Sequence, residues 1–189
     1  MSELMTAEEL EQVDIPGKAT ELIRGHLVVR EPPSTYHGCI ASNLNLVVAM
    51  HVRAHDLGAV FGQDTGFKIT SDPDTVRAAD LAFVARQRVG LIGRRGYAAL
   101  APDFVAEILS PDDRPGEVLE KIGEWLEAGV RLVWVIDPDA EMARVYRADG
   151  SLRIVEAHAA LDGDDVMPGL MCQLSDILSV GRIRRDAES

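Results

Sequence analysis

The period of the apolar positions changes several times along the chain, and each change marks an element. Thr6 is placed to cap a short helix over residues 6–13, with Glu9 three residues on as its reciprocal partner. Runs at 20–24 and 27–30 read as two strands around a tight Gly25-His26 turn, and Pro32-Pro33-Ser34 breaks the chain after them. Between residues 36 and 57, Ile40, Leu44, Val47, Val48 and Val52 recur at a helical period, and Gly58 ends the run. Short strand-like runs follow at 59–62, 66–70 and 80–84, then a polar loop over 86–97 that holds Arg86, Arg88, Arg94 and Arg95.

The second half is more regular. Residues 103–109 form a dense apolar strand, Ser110-Pro111-Asp112-Asp113 turns the chain, and 115–128 is helical up to Gly129. The most apolar strand is 132–136; turns at Asp137-Pro138-Asp139 and Asp149-Gly150 lead into strands at 143–147 and 152–156. A turn-rich tail from Gly163 ends in a short helix over 174–178. There are no repeats, linkers or low-complexity segments, so residues 1–189 read as one α/β domain, a mixed sheet flanked by helices.

Composition narrows the class. Apolar residues make up 47% of 189, enough for a sizeable core. No uninterrupted apolar run reaches the roughly 18 residues of a membrane span. The first twelve residues are acidic and lack the apolar centre of a secretion signal. Cys39 and Cys172 are too far apart in sequence for a zinc pair or a disulfide framework, which fits a reducing, cytoplasmic setting. The formal net charge of −12 works against loose binding to polyanions. A nucleic-acid enzyme with this charge needs a local basic surface, a metal ion, or both.

Glu107 carries the chemistry. It lies within Phe104-Val105-Ala106-Glu107-Ile108-Leu109 and shares a strand face with Val105 and Leu109. An unpaired carboxylate there costs on the order of several kcal/mol, so it demands a cation, a partner side chain or a cleft. Asp80 opens the strand Asp80-Leu81-Ala82-Phe83-Val84, where aspartate is normally depleted. On a strand beside Glu107 it completes an oxygen-ligand pair suited to magnesium or manganese. Lys121 falls about 60° from Val118, at the edge of the apolar stripe of its helix. From that edge a lysine can lie along apolar surface and bring its ammonium over the sheet, or pair with Glu117 or Glu124 at helical spacing.

Other candidates are weaker. His51 and His55 lie four apart on one helix but lack a third ligand nearby, and Ser110 lacks the glycine-flanked elbow of a nucleophile. No glycine-rich phosphate loop is present. The arginines of the 86–97 loop fit either a solvated loop or phosphate contact.

Several segments, in order, resemble the Uma-two family (domain of unknown function 820), bacterial proteins of the PD-(D/E)XK, restriction-endonuclease-like superfamily. They are residues 21–29, Ala79 to Val84, Pro102 to Pro111, Glu120-Lys121 and Ala128 to Pro138. The resemblance implies a restriction endonuclease-like core with a magnesium-dependent phosphodiesterase site acting on nucleic acid, DNA above all. In its terms Asp80 is the motif aspartate, Glu107 the motif glutamate, and Glu21 a further acidic position near the first strand. The usual lysine two residues after the glutamate is replaced by Leu109, and Lys121 on the next helix matches the lysine's displaced position. His37, at the start of the long helix, fits either a donor to substrate phosphate or simple packing at the helix terminus, and Arg86 and Arg88 are further candidate substrate contacts. Family habit also implies a homodimer. Two functions follow as expectations: a Mg2+- or Mn2+-dependent endonuclease, or a catalytically weak or inactive nuclease-fold protein acting as a binding or regulatory module.

Overall fold

The computed structural model describes residues 4–180. The capping box forms as expected: the Glu9 N–H donates to Thr6 Oγ1 and the Thr6 N–H to Glu9 Oε2, opening α1 (Ala7–Leu10). Strands β1 (Ala19–Ile23) and β2 (His26–Arg30) make the first hairpin. Its turn is Arg24-Gly25, one residue earlier than expected, with φ of 49° and 78° at the two positions. Positive φ at both central residues matches the twist of antiparallel strands, which is why a glycine sits there. Ser34 then caps the long helix α2 (Thr35–Ala54), its hydroxyl accepting from the His37 N–H.

Next come β3 (Gly58–Phe61), β4 (Thr65–Thr70), β5 (Thr75–Ala79) and β6 (Leu81–Ala85). Strand β5 was not expected, because Thr-Val-Arg-Ala-Ala carries a central arginine and little bulk. Asp80 itself lies between β5 and β6 rather than inside a strand. Arg86–Val89 form a short helix, α3, within the expected loop. The chain continues through β7 (Phe104–Ile108), α4 (Pro115–Glu127), β8 (Leu132–Asp137), β9 (Met142–Arg147) and β10 (Leu152–Glu156). It closes with β11 (Ala160–Asp162), β12 (Met171–Gln173) and α5 (Leu174–Leu178).

The strands form a six-stranded sheet in the order β10-β9-β8-β7-β6-β3, a four-stranded sheet β2-β1-β5-β4, and the small pair β11-β12. In the large sheet only β7 and β8 are parallel. A parallel pair needs a crossover, and α4 supplies it. Alternate residues of β6, β7 and β8 divide between two cores. Phe83, Phe104, Ala106 and Trp134 pack towards α2, while Val84, Val105, Val133 and Val135 pack towards α4 with Ile122 and Trp125. Glu107 shares the face of Val105, so the pleat aims it at α4. No helix among the described residues is long and apolar enough to cross a membrane.

Candidate active site

Glu107 is 9% exposed, and both its oxygens are engaged from successive turns of α4. Lys121 Nζ donates to Oε2 at 2.9 Å and Trp125 Nε1 to Oε1 at 2.9 Å. Residues four apart share a helix face, so one face of α4 delivers both donors. Burial pushes the Glu107 carboxyl up to about 7, despite the neighbouring Lys121 ammonium; Asp80 adds to the rise.

Lys121 is not the surface lysine that helical spacing allows. Its ammonium donates to the Ala78 carbonyl at 2.8 Å and to Glu107, with Glu21 Oε1 3.7 Å away. Burial works against the charge, but Glu107 and Glu21 hold its pKa above the ordinary lysine value. It is therefore a fixed positive charge at neutral pH, not a base.

Asp80 ties the start of β6 to the end of β7. Its Oδ2 accepts from the Ile108 N–H at 2.7 Å, and its Oδ1 accepts from Gln63 Nε2 at 3.2 Å. His37 Nε2 lies 3.0 Å from the Ile108 carbonyl and 3.3 Å from Asp80 Oδ2, and Gln63 Nε2 sits 3.2 Å from His37 Nδ1. A Gln63 N–H facing Nδ1 leaves the ring hydrogen on Nε2, directed at those two oxygens. Burial alone would raise the Asp80 pKa; His37, the Ile108 N–H and Lys121 together hold it below the usual carboxylate range.

Glu21, on β1, is 4% exposed and accepts from Arg77 Nη1 and the Ala78 N–H, each at 3.0 Å. Burial would raise its pKa, but Lys121, Arg77 and Arg30 keep it ionised below the usual value. The structure thus brings Glu21, His37, Asp80, Glu107 and Lys121 together. Arg86 and Arg88 stand elsewhere: on α3, paired with Asp56 and Asp103, and outside the cleft lining. Gln63, Arg77 and Trp125 are the site residues that sequence reasoning missed. Only Trp125 had a signal, as the residue four beyond Lys121.

Glu21, His37, Gln63, Asp80, Glu107 and Lys121 line a cleft of about 640 Å³, in which eight carboxylates face three cationic side chains. All three cations are ion-paired: Lys18 with Glu31, Arg30 with Glu21 and Glu117, and Lys121 with Glu107. The profile of the Uma2 family, described as "Putative restriction endonuclease", matches residues 7–179.

The chain belongs to the Uma2 family.

Among solved structures, the Uma2 fold is matched by a crystal structure titled "a putative nuclease belonging to DUF820", from Anabaena variabilis. The TM-score is 0.78 at 24% identity, over 92% of this chain and 97% of that one. At that identity the likeness establishes a shared fold alone. No curated protein matches the chain.

Restriction endonuclease-like nucleases generally use divalent metals, and the donor chemistry of this cleft is compatible with one. Asp80, Glu107 and the Ile108 carbonyl offer hard oxygens in one place, and magnesium typically takes one or two carboxylates plus waters. No three His, Cys, Asp or Glu side chains among the described residues form a ready-made metal cage. The buried cluster also carries excess negative charge. Glu21, Asp80, Glu107 and Glu124 stand against Arg77 and Lys121, with Arg30 and His37 at the edges of the cluster beside Glu21 and Asp80, and one oxygen of Glu124 is buried without a partner.

Proposed function

We propose that this Uma2 protein is a metal-dependent endonuclease that hydrolyses DNA phosphodiester bonds with Mg2+ or Mn2+. The observation that carries the reading is the convergence of Asp80, Glu107 and Lys121 at the end of β7, inside the cleft. Asp80, Glu107 and the Ile108 carbonyl would hold the cation. When bound, it neutralises phosphate charge and lowers the pKa of an attacking water. Lys121 keeps Glu107 in place and sets a permanent positive charge against the charge that develops on the phosphate. His37 and Gln63 hold Asp80 in one orientation, and with its N–H directed at the Ile108 carbonyl and Asp80, His37 acts through Asp80 rather than on the phosphate. Water attacks phosphorus, the P–O bond to the leaving sugar breaks, and the departing oxygen takes up a proton.

The acid-lined cleft favours a second reading, a nuclease-fold protein that binds a partner and cuts slowly or not at all. One experiment separates the two. The full chain is incubated with supercoiled and linear duplex, single-stranded DNA and RNA, with Mg2+, Mn2+ or a chelator, alongside Glu107→Gln and Asp80→Asn. Metal-dependent cleavage of DNA, lost in both variants, supports the endonuclease. Absence of both metal binding and cleavage removes the enzyme reading, and cleavage that persists in Glu107→Gln removes the site assignment.

A further inference from the structure

The Lys121 ammonium sits between two buried carboxylates and has to favour one. It is 2.9 Å from Glu107 Oε2 and 3.7 Å from Glu21 Oε1, with the Ala78 carbonyl at 2.8 Å fixing the remaining direction. Glu21 is no more exposed to solvent than Glu107, so left to itself it would attract the lysine about as strongly as Glu107 does. What differs is that Glu21 is already satisfied. Arg77, 2% exposed on β5, donates Nη1 to Glu21 Oε2 at 3.0 Å, and the Ala78 N–H takes Oε1 at 3.0 Å. The same guanidinium donates Nε to Glu124 Oε2 at 2.6 Å, three residues beyond Lys121 on α4.

We infer that Arg77 is a positioning residue: by occupying Glu21 and gripping Glu124, it assigns the Lys121 ammonium to Glu107. This rests on the nuclease reading for its purpose but not for its geometry. A lysine on the same strand as the glutamate would be placed by the pleat. A lysine on a helix is placed only as well as that helix is registered against the sheets. Leu22 opposite Val76 puts Glu21 and Arg77 at the next paired position of β1 and β5, and Arg77 then reaches α4. One side chain thus joins two strands of the small sheet to the helix that carries the lysine. Arginine suits the position because its planar fork holds two carboxylates in fixed directions, a constraint that an ammonium on a flexible stem does not impose.

The test uses the full chain with isotope-labelled lysine. Only Lys18, Lys68 and Lys121 contribute signals, and the buried Lys121 ammonium is assigned by its loss in Lys121→Met. Arg77→Met should move the Lys121 side-chain signals as the ammonium turns to Glu21. It should also lower single-turnover cleavage at saturating Mn2+ at least tenfold, with the KM for DNA within about twofold. In Glu21→Gln/Arg77→Met the competing charge is gone, so the Lys121 signals should return to the wild-type positions and cleavage should recover most of the loss. Arg77→Lys, which keeps the charge and loses the bridge, should fall between. A purely structural arginine would give no such recovery.

Unchanged Lys121 signals in Arg77→Met overturn the inference, as does a double variant no closer to wild type than the single one. If Arg77→Met fails to fold, Arg77→Lys and the charge-neutral double variant decide the question by the same signals. A wild type that cuts nothing removes the nuclease reading, and the spectra still judge Arg77.

Discussion

Glu107 makes metal-free stability depend on pH in an unusual direction. Its carboxyl titrates near 4.5 in the unfolded chain and at about 7 in the folded one. Between those values the folded state binds the extra proton, so stability falls as pH rises. The full benefit is present below about 4.5 and is lost by the time pH has passed about 7. A shift of this size corresponds to about 3 kcal/mol, at ~1.36 kcal/mol per pH unit. In Glu107→Gln this contribution disappears, while an amide oxygen still accepts the Trp125 N–H. The assay is urea unfolding of both proteins in chelator at pH 5 and pH 8. The wild type should lose about 3 kcal/mol more than the variant between the two, a midpoint difference of roughly 1–3 M for typical slopes. Other titrating groups are shared by the two proteins and largely cancel. Saturating Mn2+ should abolish the difference, because a ligating carboxylate must be deprotonated. For the same reason Mn2+ affinity should rise about fivefold from pH 6 to pH 7. Parallel stability curves, differing by less than ~1 kcal/mol, would refute the claim that burial of the ionised Glu107 carboxylate costs stability in the metal-free protein.

Trp125→Phe keeps the ring packing and removes one donor from Glu107; urea unfolding should show a loss of ~1–2 kcal/mol, with the pH midpoint of Mn2+ binding moved upward. Lys121→Met should lower single-turnover cleavage at saturating metal by roughly 10²–10³, the scale of losing one charge aimed at the transition state, and Lys121→Arg should not restore it. Because carboxylates dominate the cleft and its cations are paired, duplex DNA in chelator should bind weakly, with a log–log salt slope shallower than about −2. A slope of about −5 or steeper in fluorescence anisotropy would place the nucleic acid on a basic surface outside this cleft.

How far the site could be read from sequence depends on where each residue's compensation lies. Glu107 was legible because its own strand makes a bare charge costly, and Lys121 largely through the family resemblance, since the edge of an apolar helical stripe allows a lysine to reach inwards or to stay at the surface. Arg77 was not. A strand with a central arginine reads as solvent-facing, and the partners that bury it, Glu21 and Glu124, are 56 and 47 residues away. Arg86 and Arg88 fail in the opposite sense. They read as free cations, yet Asp56 and Asp103 lie across from them. Gln63 sits in a turn with nothing local to mark it.

The fold itself was legible in its alternation of strands and helices, except for β5 and the β11-β12 pair, which are short and poor in bulky side chains. That fold also accounts for the lysine's unusual spacing. Parallel β7 and β8 require a crossover, and this one returns over the face of β7 that presents Glu107. A lysine one turn before Trp125 on that helix therefore meets the carboxylate 14 residues away in sequence. The position that a strand motif would fill two residues on is reached here through the helix, and its accuracy then depends on whatever locks helix to sheet.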